Sequence, residues 1–507
     1  MRKGLFLLCF GLFALIFYSC DGVQLEIGGG GSGSGGGSGT INKPTNVPPR
    51  KFWAQNLATN SFYQIDANLL AESKNCRVWA EKGAGVSVET ANSMAKAYEE
   101  KILPKMLDTF SYIGPISNDG VTVIANNTLE LAGWLTGGDG KLTILLLDIV
   151  DGYKPRENDT YCAGYFWRGN ILKRNPADPL LSYSNECSMI YVDTYPGEPG
   201  TEVSNTTVAH ELQHLMSFVN YYLSDKKYPL DTWIDEGLSS AAEWLYLGKQ
   251  VNSKINDYNN DRSGLIQKGN NFFVWENHDS ESQYAILDDY STVYLFFQWL
   301  RLQSGSKDIY REITLSDNYN YLAVTDAANR AMKGNGYDKW ETLLKTWLAA
   351  NHINAPTGPY GYRNDSVLKN VKAKTAPKGV TSVSLAPGEG VYSITNNYKL
   401  PGNKQSVRYV GLDKSGNSMS DTVTFSGGTL LTYNANTNIE GKPESGITTG
   451  VASYAEADID ASSRSAAGES FPGLYAISAW DILGRNGFER YPLFELPVLK
   501  GGITILE

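Results

Sequence analysis

The sequence predicts an α+β protein in which a domain of strands and helices is followed by a smaller β-rich domain. Candidate strands precede a series of long helical patterns in the first 355 residues, and this order is typical of α+β layers. After Pro356, short alternating runs rich in Ser, Thr, Gly and Val are separated by Gly, Asn and Pro turns, a pattern typical of strands. We therefore place the first domain at residues 50–355 and the β-rich domain at residues 356–507.

The N-terminal 20 residues have the pattern of an export signal. Two basic residues precede an apolar stretch at residues 4–18, which is too short to span a bilayer comfortably. Cys20 follows directly after a small residue, and this arrangement resembles the lipobox of bacterial lipoproteins. Residues 21–49 are rich in Gly, Ser and Pro and are predicted to form a flexible tether. We expect an exported chain anchored through lipidated Cys20 to a bacterial membrane, at the cell surface or facing the periplasm; a plain secretory signal is the alternative.

The elements of the first domain follow from the spacing of apolar residues. Apolar residues four positions apart predict a helix through residues 91–110, within a segment at 51–120 that is otherwise mixed. Strands are predicted at residues 121–124, 142–149 and 188–192, and the second is apolar throughout and so buried on both faces. Further helices are predicted at residues 206–223, 231–247, 290–303 and 338–350. In the β-rich domain, alternating runs lie at residues 381–385, 391–395, 406–410, 421–425 and 474–479.

Composition and charge exclude several classes of protein. The chain has 507 residues, of which 42% are hydrophobic and 12% aromatic, so it is neither disordered nor a small fold stapled by disulfides. Its 44 basic and 54 acidic side chains give a formal net charge of −10. Because such a field repels phosphate backbones, we do not expect nucleic-acid binding.

Three cysteines remain after the signal and the lipidation site, namely Cys76, Cys162 and Cys187. An odd number allows one disulfide at most. Cys162 and Cys187 flank one loop region and are the favoured pair if a bond forms, and three free thiols are an equally good prediction.

One predicted helix contains the sequence His210-Glu211-Leu212-Gln213-His214, which is the H-E-x-x-H pattern of zinc peptidases. Positions i and i+4 of a helix share one face, so both imidazoles can bind the same Zn²⁺ ion. The glutamate between them lies close enough to hydrogen-bond a water molecule at the metal. Two of the 4 histidines of the chain lie in this motif. The pattern therefore predicts a helix that binds one catalytic zinc ion rather than a helix that only packs in the core.

A third ligand is expected from the next helix, at residues 231–247. If the two helices form an antiparallel pair, Glu236 returns towards the two histidines and can complete the ligand set. Asp235 is the competing carboxylate, but neighbouring helical residues differ by about 100° in direction, so only one of the two faces the metal well. Glu243 lies on the same face as Glu236, and it either hydrogen-bonds a ligand imidazole or is a solvated surface carboxylate.

These motifs resemble a known family of enzymes. The W-x-D-E-G sequence at residues 233–237 is similar to the W-x-N-E-G segment of gluzincins such as the aminopeptidase N family. Several segments between about residues 50 and 352 resemble, in order, the hyicolysin-type family of bacterial zinc metallopeptidases: LLLDIVDGY (145–153), AGYFW (163–167), MIYVDTYP (189–196), AHELQHLMSF (209–218) and YLFFQWL (294–300). The resemblance implies a zincin-like fold in which His210, His214 and Glu236 bind zinc and Glu211 is the general base.

A tyrosine completes the catalytic residues that the resemblance implies. Gluzincins stabilise the oxyanion of the attacked carbonyl with the metal and a hydroxyl or imidazole donor. Tyr290 resembles the catalytic tyrosine of the aminopeptidase pattern and is the first candidate. Tyr294 lies one helical turn later and is the second, and the alternative is that both tyrosines only pack in the core.

The predicted function is zinc-dependent hydrolysis of protein or peptide substrates. An endopeptidase is preferred to an aminopeptidase because the chain lacks a G-x-M-E-N-like segment that would hold a free substrate amine. The alternative is a surface lipoprotein adhesin whose β-rich domain binds host matrix proteins, with a structural or vestigial zinc site. A purely structural site does not need Glu211, which favours the enzyme.

Overall fold

A mixed sheet with helices packed against it forms the first part of the fold in the computed structural model. The structure describes residues 47–110, 141–155, 157, 160–171, 174–179, 181–223, 228–269, 272–275, 284–380, 382–395, 398–399, 406–413, 419–420, 424–425, 428–438, 444–447 and 475–478. Within these ranges the chain combines α-helices and β-strands, in agreement with the predicted α+β class. The predicted signal, Cys20 and nearly all of the predicted tether lie outside the described residues, as does the predicted strand at 121–124.

The first six described strands of the chain pair side by side in this sheet, and a seventh strand, from the β-rich region, joins it beside the strand at Thr160–Tyr165. They are β1 (Arg50–Asn56), β2 (Ser61–Glu72), β3 (Cys76–Glu81), β4 (Leu142–Leu147), β5 (Thr160–Tyr165) and β6 (Met189–Asp193). Their order is β1-β2-β3-β4-β6-β5. The β3–β4 and β4–β6 pairs are parallel, and the β1–β2, β2–β3 and β5–β6 pairs are antiparallel. Every side chain of β4 is buried, which confirms the prediction from its continuous apolar run.

Strands β1, β2 and β3 lie in the segment that the sequence left as mixed. The alternation of buried and exposed residues is weak in β2, where only Ile65, Ala67 and Ala71 of the 12 residues are buried. The register of β2 against β3 also shifts between Leu69 and Ala71. A bulge of this kind breaks the period of two on which recognition of strands depends.

The described α-helices include those that the sequence predicts and three that it does not. They are α1 (Val88–Ala97), α2 (Leu103–Phe110), α3 (Glu202–Leu223), α4 (Thr232–Leu247), α5 (Asn252–Asn260), α6 (Ala285–Ser304), α7 (Asp308–Thr314), α8 (Tyr321–Ala331) and α9 (Trp340–Ile353). The predictions missed α5, α7 and α8, which have 9, 7 and 11 residues. Helix α6 begins five residues before its predicted start at Tyr290.

The helix predicted through residues 91–110 is interrupted. A π-helical turn at Tyr98–Ile102 separates α1 from α2, and Pro104 lies at the start of α2. Proline has no N–H to donate to the carbonyl four residues earlier, and a wider turn accommodates this loss. The apolar face is nevertheless continuous, because Met94, Tyr98 and Met106 are all buried.

The strands of the β-rich region, apart from the last, form antiparallel pairs with one another. Its strands are β7 (Ser382–Leu385), β8 (Gly390–Thr395), β9 (Tyr398–Lys399), β10 (Val407–Asp413), β11 (Met419–Ser420), β12 (Thr424–Phe425), β13 (Gly428–Asn434), β14 (Glu444–Ile447) and β15 (Tyr475–Ser478). Strands β11, β10, β13 and β8 form one sheet, whereas β15 pairs in parallel with β5. The Tyr392 hydroxyl donates to the Leu348 carbonyl at 2.7 Å, so β8 packs on α9. The domain boundary at residue 356 stays a prediction.

The three remaining cysteines are free thiols, so the Cys162–Cys187 pairing is not formed. The Cys162 thiol instead donates to the Gly164 carbonyl within β5, at 3.1 Å. The Cys76 sulfur lies 3.1 Å from the Ser73 hydroxyl. None of the helices in the described ranges has the length and apolar character needed to cross a membrane.

Candidate metal centre

Helix α3 presents His210 and His214 on one face, as their spacing predicts. The centroids of the two imidazole rings are 4.9 Å apart. His210 is buried and His214 is partly buried. Both rings point their Nε2 atoms at one carboxylate oxygen, Glu236 Oε2, at 3.3 Å from His210 and 3.6 Å from His214. The helix therefore brings two nitrogen ligands to a common point.

Helix α4 supplies the carboxylate at that point. It begins after Asp231 and ends at Gly248, which adopts a left-handed conformation with φ 66°, as expected for a glycine that stops a helix. Gly237 follows Glu236, and a Cβ atom there would collide with the ring of Phe297 on α6. This glycine allows α4 to lie close to α6 while Glu236 faces the histidines.

The three side chains fit a zinc ion. Ligands placed tetrahedrally at ordinary zinc bond lengths of about 2.0–2.1 Å lie about 3.3–3.4 Å from one another, close to the separations of Glu236 Oε2 from the two imidazoles. Glu236 is only 3% exposed, and its Oε2 atom is buried without a hydrogen-bond partner. A buried carboxylate oxygen needs a positively charged partner. Protons on the two facing imidazoles supply that charge in the metal-free chain, and a bound cation would supply it in their place.

Two further carboxylates hold the imidazoles in orientation. His210 Nδ1 lies 2.9 Å from Glu243 Oε1, and His214 Nδ1 lies 2.8 Å from Asp235 Oδ2. Each contact places the proton of the neutral ring on Nδ1 and leaves Nε2 free for a metal. Glu243 is buried, so the alternative of a solvated surface carboxylate is wrong. Asp235, which was the competing carboxylate in the sequence-based prediction, instead contacts Nδ1 of the His214 ring, on the side away from Glu236 Oε2.

Glu211 belongs to α3, and its side chain lies between this helix and strand β5. It is 3% exposed, and the Phe166 backbone N–H donates a hydrogen bond to its carboxylate. A Cβ atom on Gly164 would lie 3.4 Å from Glu211 Cγ and much closer to Thr207, so glycine lets β5 approach this part of α3. Burial raises the pKa of Glu211 above its usual value, and the two imidazoles only partly oppose this effect.

The two tyrosine candidates have different surroundings. The Tyr290 ring lies 6.1 Å from the His210 ring and makes an edge contact with Trp275 at 5.2 Å, measured between centroids. The Tyr294 hydroxyl donates to Gln250 Oε1 at 2.5 Å and accepts from the Val251 backbone N–H at 2.9 Å. The Tyr294 hydroxyl thus ties the start of α5 to α6, whereas the Tyr290 ring lies beside His210.

Sequence reasoning missed two polar side chains near the centre. Ser239 lies one turn after Asp235 on α4, and its hydroxyl is 3.1 Å from His214 Nδ1 and donates to the Asp235 carbonyl at 3.0 Å. This i, i+4 spacing was visible in the sequence. Lys254 comes from α5, and its ammonium lies 3.0 Å from Glu243 Oε1. No local pattern could have indicated that contact, because it depends on how α5 packs against α4.

Comparison with known proteins supports a peptidase. No family model matches the chain. A neutral metalloprotease of Staphylococcus hyicus, ShpI, is 28% identical over 374 residues, which cover 71% of this chain and 75% of that protein. This similarity supports the prediction that the chain is a metallopeptidase. It agrees with the cluster of His210, His214 and Glu236, whose ligand atoms all lie within 4.8 Å of one another.

We expect metal binding to depend steeply on pH. Burial alone would lower the pKa of His210, but Glu236 and Glu243 outweigh it and raise that pKa to about 9 in the metal-free chain. The pKa of His214 is also raised, against the effect of burial, by Asp235 and Glu236. At neutral pH the metal-free site therefore holds protons that zinc must displace.

Zinc affinity should consequently rise by about tenfold per pH unit for each proton displaced, between pH 6 and 8. Competition with a chromogenic chelator at several pH values measures this dependence. Calorimetry in buffers of different ionisation enthalpy counts the released protons. A zinc affinity that is constant from pH 6 to 8 would contradict the assignment of these imidazoles as the competing groups.

Proposed function

We propose that this chain is an exported, membrane-anchored zinc metalloendopeptidase with a zincin-like catalytic domain. The observation that carries the proposal is the convergence of two imidazole Nε2 atoms on Glu236 Oε2, with Glu211 next to them on α3. The similarity to a neutral metalloprotease supports the same reaction. A structural zinc site would need the ligands but not a buried carboxylate beside them.

His210, His214 and Glu236 would hold the zinc ion. Bound zinc supplies a Lewis acid that polarises the scissile carbonyl and makes a water molecule more acidic. Glu211 accepts the proton of the attacking water and returns a proton to the amine that leaves. Its raised pKa brings it closer to the neutral range, where a group can both accept and donate a proton. The Phe166 N–H orients this carboxylate.

Tyr290 is the proposed donor to the oxygen of the attacked carbonyl. Its ring is buried beside His210 and packs against Trp275, so it is held in place within the site. A donor that is already in place stabilises developing charge without reorganisation. The role of Tyr294 in anchoring α5 leaves Tyr290 as the candidate from this pair.

The test of the proposed function is metal content and cleavage of unfolded casein by the purified chain from residue 21 onwards. We expect about one zinc ion per chain, and cleavage that a chelator abolishes and added zinc restores. Internal cuts in casein would favour an endopeptidase, whereas stepwise release of N-terminal residues would favour an aminopeptidase. A chain that binds no zinc would overturn the ligand assignment.

Export and anchoring rest on the N-terminal sequence pattern alone. The basic start, the short apolar stretch and Cys20 support a lipoprotein signal. Palmitate labelling of the wild-type chain that disappears in Cys20→Ser would support the anchor, and equal labelling of both would overturn it. Binding of host matrix proteins by residues 356–507 stays a prediction, and the contacts of the described β-strands do not favour it over proteolysis.

A further inference from the structure

We propose that Lys254 is a positioning residue that links Glu243, behind the ligand His210, to the ring of Tyr290. The inference rests on the proposed function, because it assigns how two parts of the same site are held in register. Lys254 lies on α5, whereas Glu243 lies on α4 and Tyr290 on α6. One side chain thus contacts functional groups from two other helices.

The first contact fixes the carboxylate behind His210. The Lys254 ammonium lies 3.0 Å from Glu243 Oε1, and His210 Nδ1 lies 2.9 Å from the same oxygen. The two charged side chains are 14% and 10% exposed, so water screens the pair little. Because one oxygen receives both partners, the position of Lys254 determines how Glu243 is presented to the ligand ring.

The second contact fixes the ring of Tyr290. The Lys254 ammonium lies 4.7 Å from the centroid of that ring, within the range in which a cation is attracted to an aromatic face. Trp275 and His210 also lie against this ring. The lysine therefore restrains both the imidazole that would hold the metal and the ring that carries the proposed oxyanion donor.

Tyr294 explains why Lys254 reaches this place. Its hydroxyl accepts from the Val251 N–H and donates to Gln250, directly before α5 begins at Asn252. Tyr290 and Tyr294 are one turn apart on α6, so the second tyrosine ties the start of α5 to the helix that carries the first. Lys254 follows in the first turn of α5. The start of this helix is thus fixed relative to the group that its lysine positions.

The experiment compares Lys254→Met, Lys254→Arg and the control Lys249→Met in the zinc-loaded chain. Lys249 pairs with Glu202 on the surface, where both side chains are 60% exposed, so its loss reports only a general change of charge. The readouts are zinc affinity by chelator competition, kcat and KM on a peptide from casein, and the midpoint of thermal unfolding. Lys254→Gln replaces the methionine variant if that variant does not fold.

We expect Lys254→Met to weaken zinc binding about tenfold and to lower kcat about tenfold, with KM within twofold of the wild type, as for residues that orient metal ligands. Arginine keeps the charge and should restore most of both values. In a Glu243→Gln background, the methionine substitution should have no further effect on zinc affinity. In a Tyr290→Phe background, its remaining effect on kcat should be smaller, because no hydroxyl is left to position.

Several outcomes would overturn the inference. Lys254→Met with zinc affinity and kcat within twofold of the wild type would do so, as would a Lys249→Met variant with the same losses. Additive effects of the Lys254 and Glu243 substitutions would show that the lysine does not act through that carboxylate. If the wild-type chain neither binds zinc nor cleaves casein, the proposed function fails and the inference falls with it. Wild-type activity beside an unaffected Lys254→Met variant overturns the inference alone.

Discussion

Glu211→Gln is expected to lower kcat/KM for casein peptides by at least about a thousandfold while zinc stays bound, because an amide cannot accept the proton of the attacking water. None of the three proposed ligand atoms belongs to Glu211, since the cluster consists of His210, His214 and Glu236. Glutamine keeps the shape of the buried side chain, so the fold should be preserved. Steady-state kinetics and zinc content, determined on the same preparation, measure the two effects.

A control on the same helix separates this role from a general effect of charge. Glu202 lies at the start of α3, is 60% exposed and pairs with Lys249, so Glu202→Gln removes the same charge far from the imidazoles. We expect it to retain full activity. Loss of zinc in Glu211→Gln would show that this carboxylate holds the metal site together rather than acting as the base. Retained activity in the same variant would remove Glu211 from the mechanism.

The cluster of His210, His214 and Glu236 was predictable because its geometry is local. His210 and His214 need only one helical turn to share a face, and Glu236 needs only a short connection between two antiparallel helices. The roles of Asp235 and Glu243, whose carboxylates orient the two imidazoles, could not be predicted from local geometry alone. Helical direction showed that Asp235 and Glu236 cannot face the metal equally, but only the packing of α4 on α3 shows that Asp235 reaches His214 Nδ1. The same packing decides between the two interpretations of Glu243.

Features that depend on contacts between distant segments were not predictable. Lys254 reaches Glu243 and Tyr290 only because α5, α4 and α6 meet at one point. Strand β4 was recognisable from its continuous apolar run, whereas β2 was not, since its bulge breaks the alternation. The free thiol of Cys162 illustrates the same limit: its place on β5 follows from the sheet and not from the spacing of the cysteines.

The second large effect is expected for Glu236→Gln, which should weaken zinc binding by more than about a hundredfold and abolish cleavage. Removal of a side chain that only hydrogen-bonds a metal ligand typically weakens metal binding by about 10–100-fold. The expected loss of zinc affinity is larger here because Glu236 contributes the only negative charge among the three proposed ligands. Chelator competition measures the affinity. Glu243→Gln is the matched comparison, since it removes a buried carboxylate of the same type that contacts a ligand ring instead of the metal.

The metal-free protein adds a second readout to this prediction. Burial would raise the pKa of Glu236, but His214 and His210 outweigh it and lower that pKa well below its usual value. A carboxyl group with a lowered pKa stabilises the fold above its ordinary pKa and loses that contribution as the pH falls. At pH 7 the metal-free Glu236→Gln chain should therefore unfold at a lower temperature than the metal-free wild type, because the two imidazoles lose the carboxylate that faces them. At pH 3 the difference in unfolding temperature should be smaller. An unchanged zinc affinity in this variant, with the metal-free unfolding temperatures equal at pH 7, would mean that Glu236 neither binds the metal nor balances the charge of the two histidines.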